Sequence, residues 1–187
     1  MTLSVDRALE TIARHRPEPV DAPGMQAATA LIVTREQDPR ALFIRRAQRD
    51  GDRWSGHAAL PGGKVSPADA DRIATARREA HEETGVTGLA TIGALDDIKG
   101  WFRTGVVTPV VFTIPEPPPL ILEPSEVADA DWIPLEMLAD RAARTRHPYP
   151  RLGPWKAWTV PFGETGEPLI IWGLTYRILR RFLDLCR

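Results

Sequence analysis

Gly62-Gly63-Lys64-Val65, followed by Arg78-Glu79-Ala80-His81-Glu82-Glu83-Thr84-Gly85, decides how the rest of this chain is read. At roughly 100° per residue, Ile73, Ala76, Ala80 and Thr84 form one apolar stripe. The pattern predicts a helix over 66–84, stopped by Gly85. Glu79, Glu82 and Glu83 lie along the edge of that stripe, spaced i, i+3 and i+4, so their carboxylates can converge. Glutamate is a good helix former, and a bare pair of glutamates is usually a solvated face. The preceding Pro61-Gly62-Gly63 changes that reading, because paired glycines let the backbone turn sharply and approach a ligand closely. Clustered carboxylates at a half-buried edge repel one another unless a cation sits among them. Hard oxygen donors select Mg²⁺, Mn²⁺ or Ca²⁺, and Mg²⁺ completes its shell with water and substrate phosphates. A site for cutting a diphosphate follows. A carbonyl of Gly63 is a candidate further ligand. Asp69 has two readings: with Ser66 and Pro67 it matches a helix-capping arrangement, and it is also an acid placed to orient Arg78.

Around this core, residues 4–14 carry Val5, Leu9 and Ile12 at helical spacing, an N-terminal helical extension over about 1–20. Strands are expected over 27–34, 41–44, 89–95, 105–114, 127–133 and 158–160, and a short helix over 134–139. Pro115–Pro119 reads as a stiff surface loop, and 142–155 as a long irregular segment of the kind that often carries substrate contacts. A closing helix over 171–185 places Leu174, Ile178, Phe182 and Leu185 on one face. Strands and helices mix without a βαβ rhythm, which predicts an α+β fold in a single domain over 1–187. The 187 residues suffice for one core, and 43% hydrophobic with 26% charged residues exclude a disordered or collagen-like chain. A net charge of −1 gives no global argument for nucleic acid or an anionic membrane. The lone Cys186 excludes an internal disulfide and a thiolate zinc cluster, and fits a reducing, cytoplasmic setting. The N-terminal stretch carries no apolar signal core of the usual length, and the longest apolar runs are too short for a bilayer span.

The acidic segment strongly resembles the Nudix box: a glycine, a spaced acid, then R-E-x-x-E-E-x-G. It matches at Gly63, Asp69, Arg78, Glu79, Glu82, Glu83 and Gly85. Asp69 replaces the usual Glu, and one extra residue separates it from the arginine, a length characteristic of the family's coenzyme A pyrophosphatase branch. Gly56-His57-Ala58-Ala59-Leu60-Pro61-Gly62-Gly63 is similar to the end of that branch's signature, with Leu60 for Phe. Val107–Val111 and Ile171–Thr175 are similar to two further branch segments, so that the likeness runs from about Ala27 to Leu179. Upstream the match weakens: the chain reads Leu42-Phe43-Ile44-Arg45-Arg46-Ala47, and Asp52 stands where the branch has an arginine.

The resemblance implies a mixed β-sheet sandwiched between α-helices and Mg²⁺- or Mn²⁺-dependent hydrolysis of a nucleoside diphosphate derivative, coenzyme A or a CoA derivative first among them. Glu79 and Glu83 are then metal ligands, Glu82 a ligand or the group that activates water, and Arg78 the residue that orients a glutamate. Glu123 or Glu126 is a candidate ligand from outside the box. Arg45, Arg46, Arg49 and Arg53 are candidates to grip phosphate, His57 to face the site, and Trp54 or Trp101 to stack a base. His81 is expected in solvent, and Arg77 to snorkel out of the apolar stripe. The expected partner is a small-molecule diphosphate, not a nucleic-acid polymer or a membrane, and a homodimer is left open. Hydrolysis of nucleoside triphosphates or nucleoside diphosphate sugars, and a non-hydrolytic nucleotide-binding module on the same fold, stand as alternatives. The intact Arg78, Glu79, Glu82 and Glu83 speak against the module.

Overall fold

A computed structural model describes residues 3–20, 24–52, 54–100, 105–149, 153–163 and 166–187. In chain order the elements are α1 (Val5–Arg14), β1 (Gln26–Thr34), β2 (Arg40–Arg46), β3 (Ala58–Ala59), β4 (Gly62–Lys64), α2 (Arg72–Thr84), β5 (Ala90–Ala94), β6 (Ile98–Lys99), β7 (Val106–Ile114), β8 (Val127–Pro134), α3 (Leu135–Ala139), β9 (Arg144–Tyr149), β10 (Gly153–Val160), β11 (Leu169–Ile171) and α4 (Gly173–Leu185). The central strand is β1, which runs parallel to β7 from Gln26↔Val106 to Thr34↔Ile114. Its other edge is shared: β4 pairs antiparallel with Ala27–Thr29, and β2 joins at Val33↔Ala41. All nine residues of β7 are buried, as expected for a strand covered on both faces.

Alternation along β1 feeds two apolar cores. Ala28, Ala30 and Ile32 pack with Ala76 and Ala80 of α2, and with Phe112. Leu31 and Val33 face the opposite side, where they join Leu9 and Ile12 of α1 and Ile178, Leu179 and Phe182 of α4. The mixed sheet between helices is therefore the expected α+β sandwich. No helix among the described residues is long and apolar enough to cross a membrane.

Three boundaries depart from the sequence reading. Helix α2 begins at Arg72, not at residue 66, and its N-cap is Asp71, whose side chain accepts from Ala74 N–H at 2.7 Å. Ser66 and Asp69 close a separate turn instead. Ser66 N–H donates to Asp69 Oδ2 at 2.9 Å and Asp69 N–H to the Ser66 carbonyl at 3.0 Å, so Asp69 does not cap the helix. Strands β9 and β10 pair antiparallel from Gly153↔Tyr149 to Trp158↔Arg144, where an irregular segment was expected over 142–155 and a strand only over 158–160. The closing helix starts only at Gly173, because Leu169–Ile171 is first used as a strand against β10.

The box loop is placed by close backbone contact. Gly62 sits opposite Thr29, and a Cβ there would lie 2.5 Å from the Ala28 carbonyl oxygen and 2.7 Å from Thr29 Cα. Both are backbone atoms of the central strand and cannot yield. Gly62→Ala is therefore expected to destabilise the protein by about 3 kcal/mol, at the upper end for overpacking; chemical denaturation of both proteins measures it.

Candidate active site

Helix α2 presents its acids along the edge facing β4 and the loop after β7. Gly85 ends the helix in the left-handed conformation at φ 72°, and its N–H returns to the His81 carbonyl. The chain then folds back on the helix end. Ile121 N–H donates to the Thr84 carbonyl at 2.9 Å and Glu123 N–H to the Glu83 carbonyl at 3.1 Å. This return brings Glu126 to the helix. Carboxylate oxygens of Glu79, Glu83 and Glu126 lie within 4.8 Å of one another.

Each member of the cluster has a different environment. Glu83 is 2% exposed, and one oxygen accepts from Gly62 N–H at 2.9 Å. Burial pushes its carboxyl up to about 8, the Gly62 N–H working against the shift while Glu79 and Glu126 add to it. Burial also raises the Glu79 carboxyl, and Arg78 opposes that rise. A Cβ on Gly63 would fall on the Glu79 carboxylate, so the glycine leaves this carboxylate its room.

Arg78 spends all five of its N–H donors on the protein. Nε and Nη2 hold Asp69 bidentately at 2.9 and 3.0 Å, Nη1 donates to Glu79 at 2.8 Å and Glu82 at 2.7 Å, and Nη2 also donates to the Lys64 carbonyl at 3.2 Å. The paired guanidinium holds the Asp69 carboxyl well below the usual carboxylate range. Asp69 accepts from Thr75 Oγ1 as well. Arg78 thus links Asp69 of the preceding turn to Glu79 and Glu82 of the helix. Glu82 is not part of the convergent cluster: its half-exposed carboxylate is turned to Arg78.

The cluster opens into a cleft of about 660 Å³. Arg46, Arg49, Trp54, His57 and Glu126 line it beside the box glycines. The same cleft is also lined by an aromatic group centred on Trp172, whose ring lies 4.6 Å from His147, 5.1 Å from Tyr149 and 5.2 Å from His57, centroid to centroid. Burial lowers the pKa of His57, with His147 and Arg46 adding to the shift and Asp52 opposing it.

The other sequence candidates distribute as follows. Arg45 turns away from the cleft, lying over the Phe162 ring and donating to the Glu167 and Pro168 carbonyls. Arg46, on the other side of a register shift in the β2–β8 pairing, lines the cleft. Glu123 binds Ser125 and stays outside the cluster. His81 is exposed, as expected. Arg77 lies half-buried over Phe112 and donates to the Leu89 carbonyl at 2.6 Å and to exposed Thr91 Oγ1. Arg53 and Trp101 lie outside the described residues. His147, Tyr149 and Trp155 were hidden in the segment read as irregular. Their signal was the alternation of inward His147 and Tyr149 with exposed Arg146 and Pro148.

Residues 24–155 match the NUDIX domain family model. An uncharacterized protein of Schizosaccharomyces pombe is 37% identical over 155 residues, 78% of this chain but 47% of that protein, so the chain spans about half the length of that relative. An uncharacterized Nudix hydrolase, NudL, of Salmonella newport is 34% identical over 163 residues, covering 83% of this chain and 79% of that protein. Among solved structures, the Nudix hydrolase RenU of M. smegmatis shares the fold with a TM-score of 0.51 at 23% identity, over 62% of this chain and 74% of that one. With the box intact and the family model covering most of its length, this chain belongs to the Nudix hydrolase family.

Proposed function

We propose that this Nudix hydrolase is a Mg²⁺- or Mn²⁺-dependent pyrophosphohydrolase that cleaves the diphosphate linkage of coenzyme A or a CoA derivative. The observation that carries the hydrolytic part is the convergence of Glu79, Glu83 and Glu126 within 4.8 Å beside Gly62 and Gly63. This donor set fits a hard divalent cation: three carboxylates, one of them buried against a backbone N–H, and no thiolate. When bound there, the ion supplies charge neutralisation at the phosphate oxygens and a lowered pKa for water. Glu79, Glu83 and Glu126 hold it, with the Gly63 carbonyl as a further candidate. Arg78 fixes the Glu79 rotamer. Glu82, outside the cluster on the same helix, takes the role of proton acceptor for the attacking water. Trp54 and Trp172 offer faces for a base, and His57 lines the same cleft.

The coenzyme A part is supported by where the branch-like segments meet. Residues from 57–63, Val107 and 172–175 come from three distant parts of the chain and line one cleft. The 3′-phosphate of coenzyme A then finds its arginine in Arg46, which lines the cleft, or in Arg53, since Arg45 is turned away. The test is a substrate panel with Mg²⁺ and Mn²⁺, read by product identification. Expected are cleavage of coenzyme A to adenosine 3′,5′-bisphosphate and a phosphopantetheine, clearly poorer kcat/KM on dephospho-CoA, and no turnover with chelator. Cleavage of a nucleoside triphosphate or a nucleoside diphosphate sugar, with coenzyme A untouched, would overturn the substrate and leave the family standing.

A further inference from the structure

The three clustered carboxylates are not equally committed. Glu83 is buried against Gly62 N–H. Glu79 is held by Arg78, whose donors are all spent. Glu126 is held by Arg49, whose Nη2 donates to Glu126 Oε1 at 3.0 Å and whose Nε donates to the Ser125 carbonyl at 2.8 Å. Among the described residues these are the only acceptors of the Arg49 side chain, which lines the cleft and is 44% exposed. Its neighbour Arg46 is more enclosed and is tied to Asp52 at 2.9 Å.

The main chain at Glu126 is held without Arg49. Its N–H donates to the Glu123 carbonyl at 2.9 Å, its carbonyl accepts from Ala47 N–H at 2.8 Å, and Glu123 is itself tied to Glu83. A half-exposed ion pair of this kind is weak. A divalent cation bound by the same carboxylate repels the guanidinium and competes for its acceptor. The Ser125 carbonyl remains as a tether on Nε, leaving the fork of the guanidinium, the part suited to phosphate, free to turn.

Resting on the cation-binding reading of the cluster given above, we propose that Arg49 is a two-position phosphate ligand. It neutralises Glu126 while the cluster holds no cation, and on cation entry it swings about the Ser125 carbonyl onto a phosphate oxygen of the substrate. Arg49 thus couples cation binding to diphosphate binding, and coupling of this kind is reciprocal.

Calorimetric titration of Mn²⁺, with and without the non-hydrolysable methylenediphosphonate, tests this on the wild type, Arg49→Ala and Arg49→Lys. Arg49→Ala should bind Mn²⁺ alone several-fold more tightly, having lost the competing cation. The enhancement of Mn²⁺ affinity by methylenediphosphonate should fall at least tenfold in the same variant. Arg49→Lys, which keeps the charge without the fork, should return Mn²⁺ affinity toward the wild-type value without restoring the enhancement. Weaker Mn²⁺ binding by Arg49→Ala, an undiminished enhancement in that variant, or full restoration of the enhancement by lysine would each overturn the proposal. Failure of the wild type itself to bind Mn²⁺ would overturn the cluster reading on which it rests, and is distinguishable from the other outcomes.

Discussion

Glu83→Gln is expected to lower kcat/KM by at least about a hundredfold, equivalent to about 2.7 kcal/mol of transition-state stabilisation, while making the metal-free protein more stable at alkaline pH. The two effects have one origin. Glu83 is buried with a single N–H donor and faces two other carboxylates, an arrangement that is unfavourable until a cation is present. In the unfolded chain its carboxyl titrates near the ordinary value of 4.5, and in the fold near 8. Between these values the folded state binds more protons than the unfolded state. The stability of the metal-free protein therefore falls as pH rises through that window, with the loss complete above it. Glutamine has no proton to release, so the variant should lack this slope. Thermal denaturation in chelator from about pH 5 to 9, beside steady-state kinetics with Mg²⁺, checks both halves. Full activity in the variant, or identical pH slopes, would remove Glu83 from the site.

Arg78→Lys should depress kcat by ten- to a hundredfold, the order of loss that follows a misplaced catalytic group, and leave KM within a few-fold of the wild type. Asp69, Glu79, Glu82 and the Lys64 carbonyl take all five donors of the guanidinium, which is why the expected loss is one of positioning and not of substrate contact. What it supplies is the fixed position of Glu79 and the tether between the 66–71 turn and the helix. Lysine retains the charge but has three donors on a flexible stem and cannot span Asp69 and two glutamates together. Because the loss is in positioning, it should appear in kcat. A rise in KM alone would mean that Arg78 meets the phosphate directly.

The legible parts of the sequence were those in which local pattern and tertiary use coincide. The stripe of Ala76, Ala80 and Thr84 and the stop at Gly85 are properties of the helix alone, and they reappear in the structure. Strand β1 was visible because its residues are apolar on both faces, each covered by its own core. The start of α2 was misplaced because Ser66, Pro67 and Asp69 carry a good capping pattern, and that pattern could not choose between a cap and the second reading of Asp69, an acid held by Arg78 nine residues on. The pairing of β9 with β10 was missed because its inward side is built from His147, Tyr149 and Trp155, polar or amphipathic groups that do not register as a hydrophobic period. In the site, the i, i+3 and i+4 spacing suggested convergence of Glu79, Glu82 and Glu83, and the structure brings together Glu79 and Glu83 of these three. The same spacing could not tell that Glu82 would turn to Arg78. Nor could it choose between Glu123 and Glu126, since that choice depends on how the chain folds back across the helix end.

The parallel pairing of β1 with β7 bears on the order of assembly. Gln26 and Val106 are partners, so about 80 residues of chain must be closed into a loop before the central pair of strands forms, a demand that slows folding relative to local pairing. Glu79 and Glu83 share one helix and come together as soon as it forms. Glu126 joins them only through the segment after β7 that docks on Thr84 and Glu83. A nascent chain halted before residue 126 therefore carries the whole Nudix box and still lacks the third carboxylate.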